Sequence, residues 1–170
     1  LLVEQEDQLG GAILSSNDHE NKINANSQTD WKNKILDELN TLENVKIIKN
    51  TTLFAYMHYN YLLAIQDLQP NTGKDKINSI RQIVWKIRAK KVILATGSIE
   101  RPLTFNNNDR PGIMLANSAS KYLNGYGVNL GKKIVIFTNN DSAYQTAIDF
   151  HRQNIDVTAV VDVRNNIEGD

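Results

Sequence analysis

The 170-residue chain has no cysteine, three prolines and no net charge. Without cysteine there are no disulfides and no thiolate metal sites, and the redox compartment stays open. Its 19 basic residues are balanced by 19 acidic ones, so the electrostatic footprint of a nucleic-acid or membrane-surface partner is missing. No apolar run approaches the roughly 18 residues of a membrane span. The chain opens Leu1-Leu2-Val3, with neither an initiator methionine nor a charged n-region, so no signal peptide is expected there. It reads as an internal piece of a longer protein. Asparagine and lysine are abundant, which carries little functional weight.

What is present centres on Val92-Ile93-Leu94-Ala95-Thr96-Gly97. Three large apolar residues in a row predict a parallel strand covered on both faces. Ala95, Thr96 and Gly97 then leave little side-chain bulk, so backbone or a flat ligand can come close. An ordinary strand-to-loop exit is the plainer reading of these six residues. The chain continues Ser98-Ile99-Glu100-Arg101-Pro102-Leu103 and Asn108-Asp109-Arg110-Pro111-Gly112-Ile113-Met114-Leu115. With that continuation it resembles the α subunit of heterotetrameric sarcosine oxidases. In such flavoproteins with two dinucleotide-binding domains, an Ala-Thr-Gly turn passes under a bound dinucleotide.

Leu1 to Glu4 read as the end of a strand, with Glu4 at its C-terminal edge. In a Rossmann unit an acid there hydrogen-bonds the adenosine ribose hydroxyls, about 20 residues beyond the glycine loop. A solvated glutamate is the plain alternative. Gly10-Gly11 shortly afterwards is weak alone, but the pair recurs near the cofactor in the resembling flavoproteins. Residues 15 to 27 are polar and aperiodic, a loop. Thr29 or Asp30 is expected to cap a helix from Trp31, with Ile35, Leu36, Leu39 and Leu42 as its apolar stripe. Val45 to Lys49 follows as a strand, completing a parallel crossover step.

Thr52 to Tyr56, Tyr61 to Ile65 and Ile83 to Ala89 predict a three-stranded antiparallel meander. The polar tract from Gln69 to Ser79 is expected to be a turn or loop. The order matches the FAD-type Rossmann variant. The aromatic residues here are more naturally meander core than a stacking platform. The resemblance implies one positional exception, backbone near Leu53 against the adenine.

Asn117 to Leu123 predict a helix ending at Gly125 or Gly127. Lys132 to Phe137, Asp141 to Gln153 and Val157 to Asp162 predict a βαβ unit with Asp141 as helix cap. A dinucleotide-binding unit would carry a glycine turn. Here the turn is Thr138-Asn139-Asn140-Asp141-Ser142-Ala143. Related flavoproteins such as thioredoxin reductases place three successive glycines before Asp-Ser-Ala. Thr138 and Asn140 stand where glycine permits the tight turn and the approach to pyrophosphate, and only Ala143 keeps the packing position. The turn therefore reads as closed. Asp162, where a ribose-binding acid would fall, is expected to bond locally near Arg164. A Cys-x-x-Cys redox pair is also lacking.

The expected fold class is α/β, an FAD/NAD(P)-binding Rossmann-like architecture of the two-dinucleotide-domain flavoprotein type. A partial first domain with the meander spans 1–103, and a partial second βαβ domain spans 104–170. The resemblance implies an oxidoreductase subunit. The complete enzyme would convert sarcosine to glycine, formaldehyde (or methylenetetrahydrofolate) and hydrogen peroxide. It further implies NAD in this region, with Glu4, Gly11, Leu53, Ala95, Thr96 and Gly97 as binding residues. FMN and FAD would lie elsewhere in the complex. Partners would be the other subunits of a cytoplasmic hetero-oligomer, with no nucleic acid or membrane involved. No metal and no catalytic residue is expected in this stretch. His19, His58 and His151 are isolated from any Asp or Ser constellation. Two rivals stand beside this reading. One is a dye-linked proline dehydrogenase or hydrogen cyanide synthase subunit with FAD in the first site. The other is a non-catalytic scaffold with a structural nucleotide.

Overall fold

The computed structural model describes residues 1–16, 22–68 and 80–165. The chain is α/β and divides into two compact units. One comprises Leu1–Gly11 and Asp30–Thr96, the other Ala12–Thr29 and Gly97–Asp170. This division falls at Thr96/Gly97, whereas the expected boundary between binding domains was 103/104. The expected loop from Gln69 to Ser79 lies outside the described residues, as does His19.

In the first unit, strand β1 (Leu2–Val3) pairs in parallel with β4 (Ile47–Ile48). Helix α1 (Gln28–Thr41) precedes β4. It begins three residues earlier than expected, so Thr29 and Asp30 lie in its first turn and do not precede it. Ile35, Leu36 and Leu39 are half-buried on it, while Leu42 lies beyond its end and is exposed. The meander is β5 (Thr51–Met57), β6 (Tyr61–Asp67) and β7 (Gln82–Arg88), joined in that order by antiparallel ladders. Alternation explains it: Leu62 and Ala64 point inward from the central strand and are buried. Trp85 Nε1 donates to Gln66 Oε1 at 2.9 Å, which satisfies the one polar atom of that ring.

One expectation is overturned. Val92 to Ala95 form no strand and are not buried. Ile93 is 91% and Leu94 60% exposed. The physical reason is the missing ladder. A strand needs a neighbour to take its backbone hydrogen bonds. Among the described residues, β1 pairs only with β4 and β7 only with β6, and nothing pairs with 92–95.

In the second unit, residues 22–27 form a small hairpin, β2 (Lys22–Ile23) against β3 (Asn26–Ser27). Asn24 and Ala25 turn it with positive φ, the geometry of a tight primed turn. The expected loop across 15–27 thus holds a hairpin here. Strand β8 (Lys133–Thr138), helix α3 (Ser142–Arg152) and β9 (Asp156–Asp162) form a parallel βαβ unit. Helix α2 (Ala116–Ser120) runs into a π-helical turn, Lys121–Gly125. Gly127, in the left-handed region, stops it. Asn154 does the same for α3, and the Ile155 N–H bonds back to Phe150 O at 3.0 Å. That Schellman closure folds Ile155 onto Phe150, and both join Leu123 in the core, flanked by Ala119, Ile134 and Val157.

Candidate nucleotide-binding site

Glu4 follows β1 directly, as its position demands. Its N–H donates to Ile48 O at 2.9 Å, and its carbonyl accepts from Thr51 N–H at 2.9 Å. The same residue therefore ties the parallel pair to the start of the meander, two residues before Leu53. The Glu4 carboxylate is half-exposed. Its Oε1 accepts the Glu6 N–H at 3.0 Å, which fixes the turn after the strand. Leu53 pairs with Ala64 at a β-bulge between Leu53 and Ala55, where a ladder opens locally.

Gly11 starts the 3-10 turn Gly11–Ser15 with φ +53°. A Cβ built there meets nothing within 4 Å. Glycine is needed for conformation and leaves open space in front of it. Ala95 and Thr96 are exposed and lie outside any strand or helix. Gly97 has φ +70° and also faces open space. Glu4 thus bonds the strand that carries Leu53, and Gly11, Ala95 and Thr96 belong to the same unit. Gly97 opens the second unit. Glu100, from the Glu-Arg-Pro motif, is used structurally. Its Oε2 accepts the Asn117 N–H at 2.9 Å, near the start of α2.

The turn between β8 and α3 shows what the sequence reading missed. Asp141 stands at the N-cap of α3 without any side-chain cap bond. The expected cap by Asp141 is therefore wrong, and Asn140 serves in its place. Asn140 Oδ1 accepts from Ser142 N–H at 3.1 Å and from Ser142 Oγ–H at 2.6 Å. An Asn two residues before a helix start is a known side-chain mimic of a turn, and that signal was legible. Asp141 is drawn away to Arg164, whose Nη2 donates to its Oδ1 at 2.6 Å. Arg164 Nη2 also donates to Asp162 Oδ2 at 2.7 Å, so the expected local pairing of Asp162 with Arg164 is observed. The Arg164 side chain and backbone hold the Asp162 carboxyl down to about 2, with a hydrogen bond from Tyr144 helping. Burial, then the Asp162 hydrogen bond, pushes Tyr144 up. Arg164 is pushed up by the same two carboxylates. Among the described residues no group of His, Cys, Asp and Glu could hold a metal ion. No described helix is long and apolar enough to cross a membrane.

Three curated proteins fix the relationship. The chain is 37% identical over 168 residues to the sarcosine oxidase subunit alpha of Corynebacterium sp. (strain U-96). It is 36% identical over 164 residues to that of Rhizobium meliloti (strain 1021). A third, from Corynebacterium sp. (strain P-1), is 36% identical over 168 residues. The chain matches a stretch of sarcosine oxidase α subunits. The matches cover 98%, 96% and 98% of the chain but only 17%, 16% and 17% of those proteins. The chain therefore spans about a sixth of the length of the curated relatives it matches. No family model matches it. The crystal structure of L-proline dehydrogenase from P. horikoshii superposes with a TM-score of 0.69 at 23% identity, over 99% of this chain and 31% of that one. The fold is therefore shared with that dehydrogenase.

Proposed function

We propose that this chain is the nucleotide-binding stretch of a sarcosine oxidase α subunit, an oxidoreductase that acts within a cytoplasmic hetero-oligomer. The observation that carries the reading is the identity of 36–37% to three such subunits along nearly the whole chain. The whole enzyme would oxidise sarcosine with oxygen and water to glycine, formaldehyde and hydrogen peroxide. This stretch would hold NAD in a Rossmann-like first domain, 1–103, and support subunit assembly, and the second domain, 104–170, would follow it in the chain. FMN and FAD would lie elsewhere in the complex.

The residues fit the adenosine end of a dinucleotide. Glu4 offers a carboxylate at the C-terminal edge of a parallel strand, where ribose hydroxyls are bound. Leu53 lies on the strand that Glu4 anchors through Thr51. Gly11, Ala95, Thr96 and Gly97 present backbone with little or no side chain. A bound NAD would supply hydride-transfer chemistry, and in this stretch the chain's own residues would bind and orient it. Helix α1 follows a hairpin, not a glycine turn, so the pyrophosphate cradle is not built from it. The second reading, FAD in the same place, rests on the fold shared with proline dehydrogenase.

The experiment is to purify the natural full-length subunit in its complex, denature it and quantify the released nucleotides. One NAD per α chain is expected. Glu4→Ala should lower retained NAD about tenfold or more, the size of a lost charged hydrogen bond. Release of a second FAD per chain in place of NAD would overturn the assignment in favour of the dehydrogenase-like reading.

A further inference from the structure

We propose that the second βαβ unit is a dinucleotide site closed by its own side chains, with Arg164 as its built-in occupant, so that the unit serves as a scaffold. A working turn of this kind leaves its backbone N–H groups free for pyrophosphate at the helix start. In this turn two of them, those of Asn140 and Ser142, are spent. The Asn140 N–H donates to Thr138 Oγ1 at 3.1 Å, and the Thr138 hydroxyl donates to Asn140 O at 2.9 Å. The Ser142 N–H is held by Asn140 Oδ1 at 3.1 Å. Thr138 is only 3% exposed, so its hydroxyl has no room to swing out and release the turn.

The acid at the end of the second strand is spent as well. A carboxylate has about four lone-pair sites. Asp162 Oδ1 accepts from Arg164 N–H at 2.9 Å and Arg164 Nε at 3.1 Å. Its Oδ2 accepts from Arg164 Nη2 at 2.7 Å and from the Tyr144 hydroxyl at 3.1 Å. The Asp162 side chain is 3% exposed. No acceptor remains for ribose hydroxyls. Arg164 completes the closure. By reaching from Asp162 to Asp141, it joins the end of β9 to the start of α3 across the mouth of the turn.

The test uses the natural subunit in its complex, titrated calorimetrically with NAD, NADP, NADH and NADPH, beside Asp162→Asn and Arg164→Met variants. A structure of the wild-type complex soaked with excess NADH accompanies it and decides if a variant fails to fold. Affinity and stoichiometry for each nucleotide should stay within about twofold of wild type, the spread of a substitution that touches no ligand. The soaked structure should show the Arg164 ion pairs intact. A second equivalent of any dinucleotide that either variant weakens tenfold, or density across residues 138–143, would overturn the proposal. A complex that takes up no dinucleotide in the titration and releases none on denaturation would sink the NAD reading of the first unit and leave the closed second site standing.

Discussion

Asn124 donates through Nδ2 to the buried carboxylate of Asp149 at 2.8 Å. The same amide donates to Ser15 O at 3.1 Å, so it ties Ser15 to the helices within the second unit. Gln145 Nε2 supplies the other donor to Asp149, at 3.0 Å. Asp149 is 2% exposed, and a buried charge is tolerated only while its hydrogen bonds are kept. The orientation of the amide is decided by these acceptors, because a flip would face oxygen to oxygen. Asn124→Ala should therefore destabilise the second unit by about 1–3 kcal/mol. Denaturant unfolding checks this. Asn124→Ala unfolding at the wild-type midpoint would show that water replaces the amide at no cost.

The Asp162 lock has a pH window. Its folded carboxyl lies at about 2, below the ordinary 3.8. A depressed acid contributes stability that is fully present above the unfolded value and is lost as pH falls through the folded one. Arg164 stays charged throughout. The stability gap between wild type and Asp162→Asn should be constant above pH 3.8 and close as pH approaches 2. Unfolding curves for both proteins at several pH values measure it. A gap that persists undiminished at the acid end would mean that the lock is steric and not ionic.

Positive φ makes two glycines of the candidate site sensitive for a reason that volume does not capture. Gly97 (φ +70°) faces open space, so Gly97→Ala adds no clash. It does force an L side chain into the left-handed region, at about 1–2 kcal/mol. Gly11→Ala, at φ +53°, should behave alike. Gly131 is the control, because an added Cβ would meet only Lys133 O at 3.9 Å, an ordinary contact. Gly131→Ala should be near neutral in thermal unfolding. Equal effects at all three positions would remove the conformational argument.

Periodicity carried most of the fold. The meander was legible as three strand-like runs, and the structure puts Leu62, Ala64, Trp85 and Ile87 on one buried or half-buried face. The βαβ unit was legible from the order strand, helix, strand, but its core pair Phe150 and Ile155 was not singled out, because Ile155 lies in the link after the helix. Local turn chemistry was read less well. Asp141 looked like the cap by residue type, but ion pairing with Arg164 competes for its carboxylate, and Asn140 takes its place. The hairpin at 22–27 turns on Asn24 and Ala25, and alanine gives no signal for positive φ. In the candidate site the place of Glu4 just after β1 was legible because strand ends are, whereas Leu53 rested on the family resemblance. How Gly97 meets a ligand is a long-range matter that sequence pattern does not carry.

Val92-Ile93-Leu94 is where pattern and structure part company, and it gives the last prediction. Three consecutive apolar residues belong in a buried parallel strand, yet here Ile93 is almost wholly exposed and unpaired. The curated relatives are about six times longer than the matched stretch, so the environment that selected these side chains extends beyond it. In the natural full-length subunit the segment should be paired and covered. Ile93→Lys should then place a charge in an apolar layer and cost about 3 kcal/mol or more. Lys91→Ala, at an exposed residue just before the run, should change little. Thermal unfolding of the assembled enzyme, with amide hydrogen exchange over 92–95, is the measurement. Slow exchange and a large loss in Ile93→Lys would show the strand formed. Fast exchange with Ile93→Lys tolerated would mean that these residues stay at the surface, and the Ala95-Thr96-Gly97 turn would lose the strand that is meant to position it.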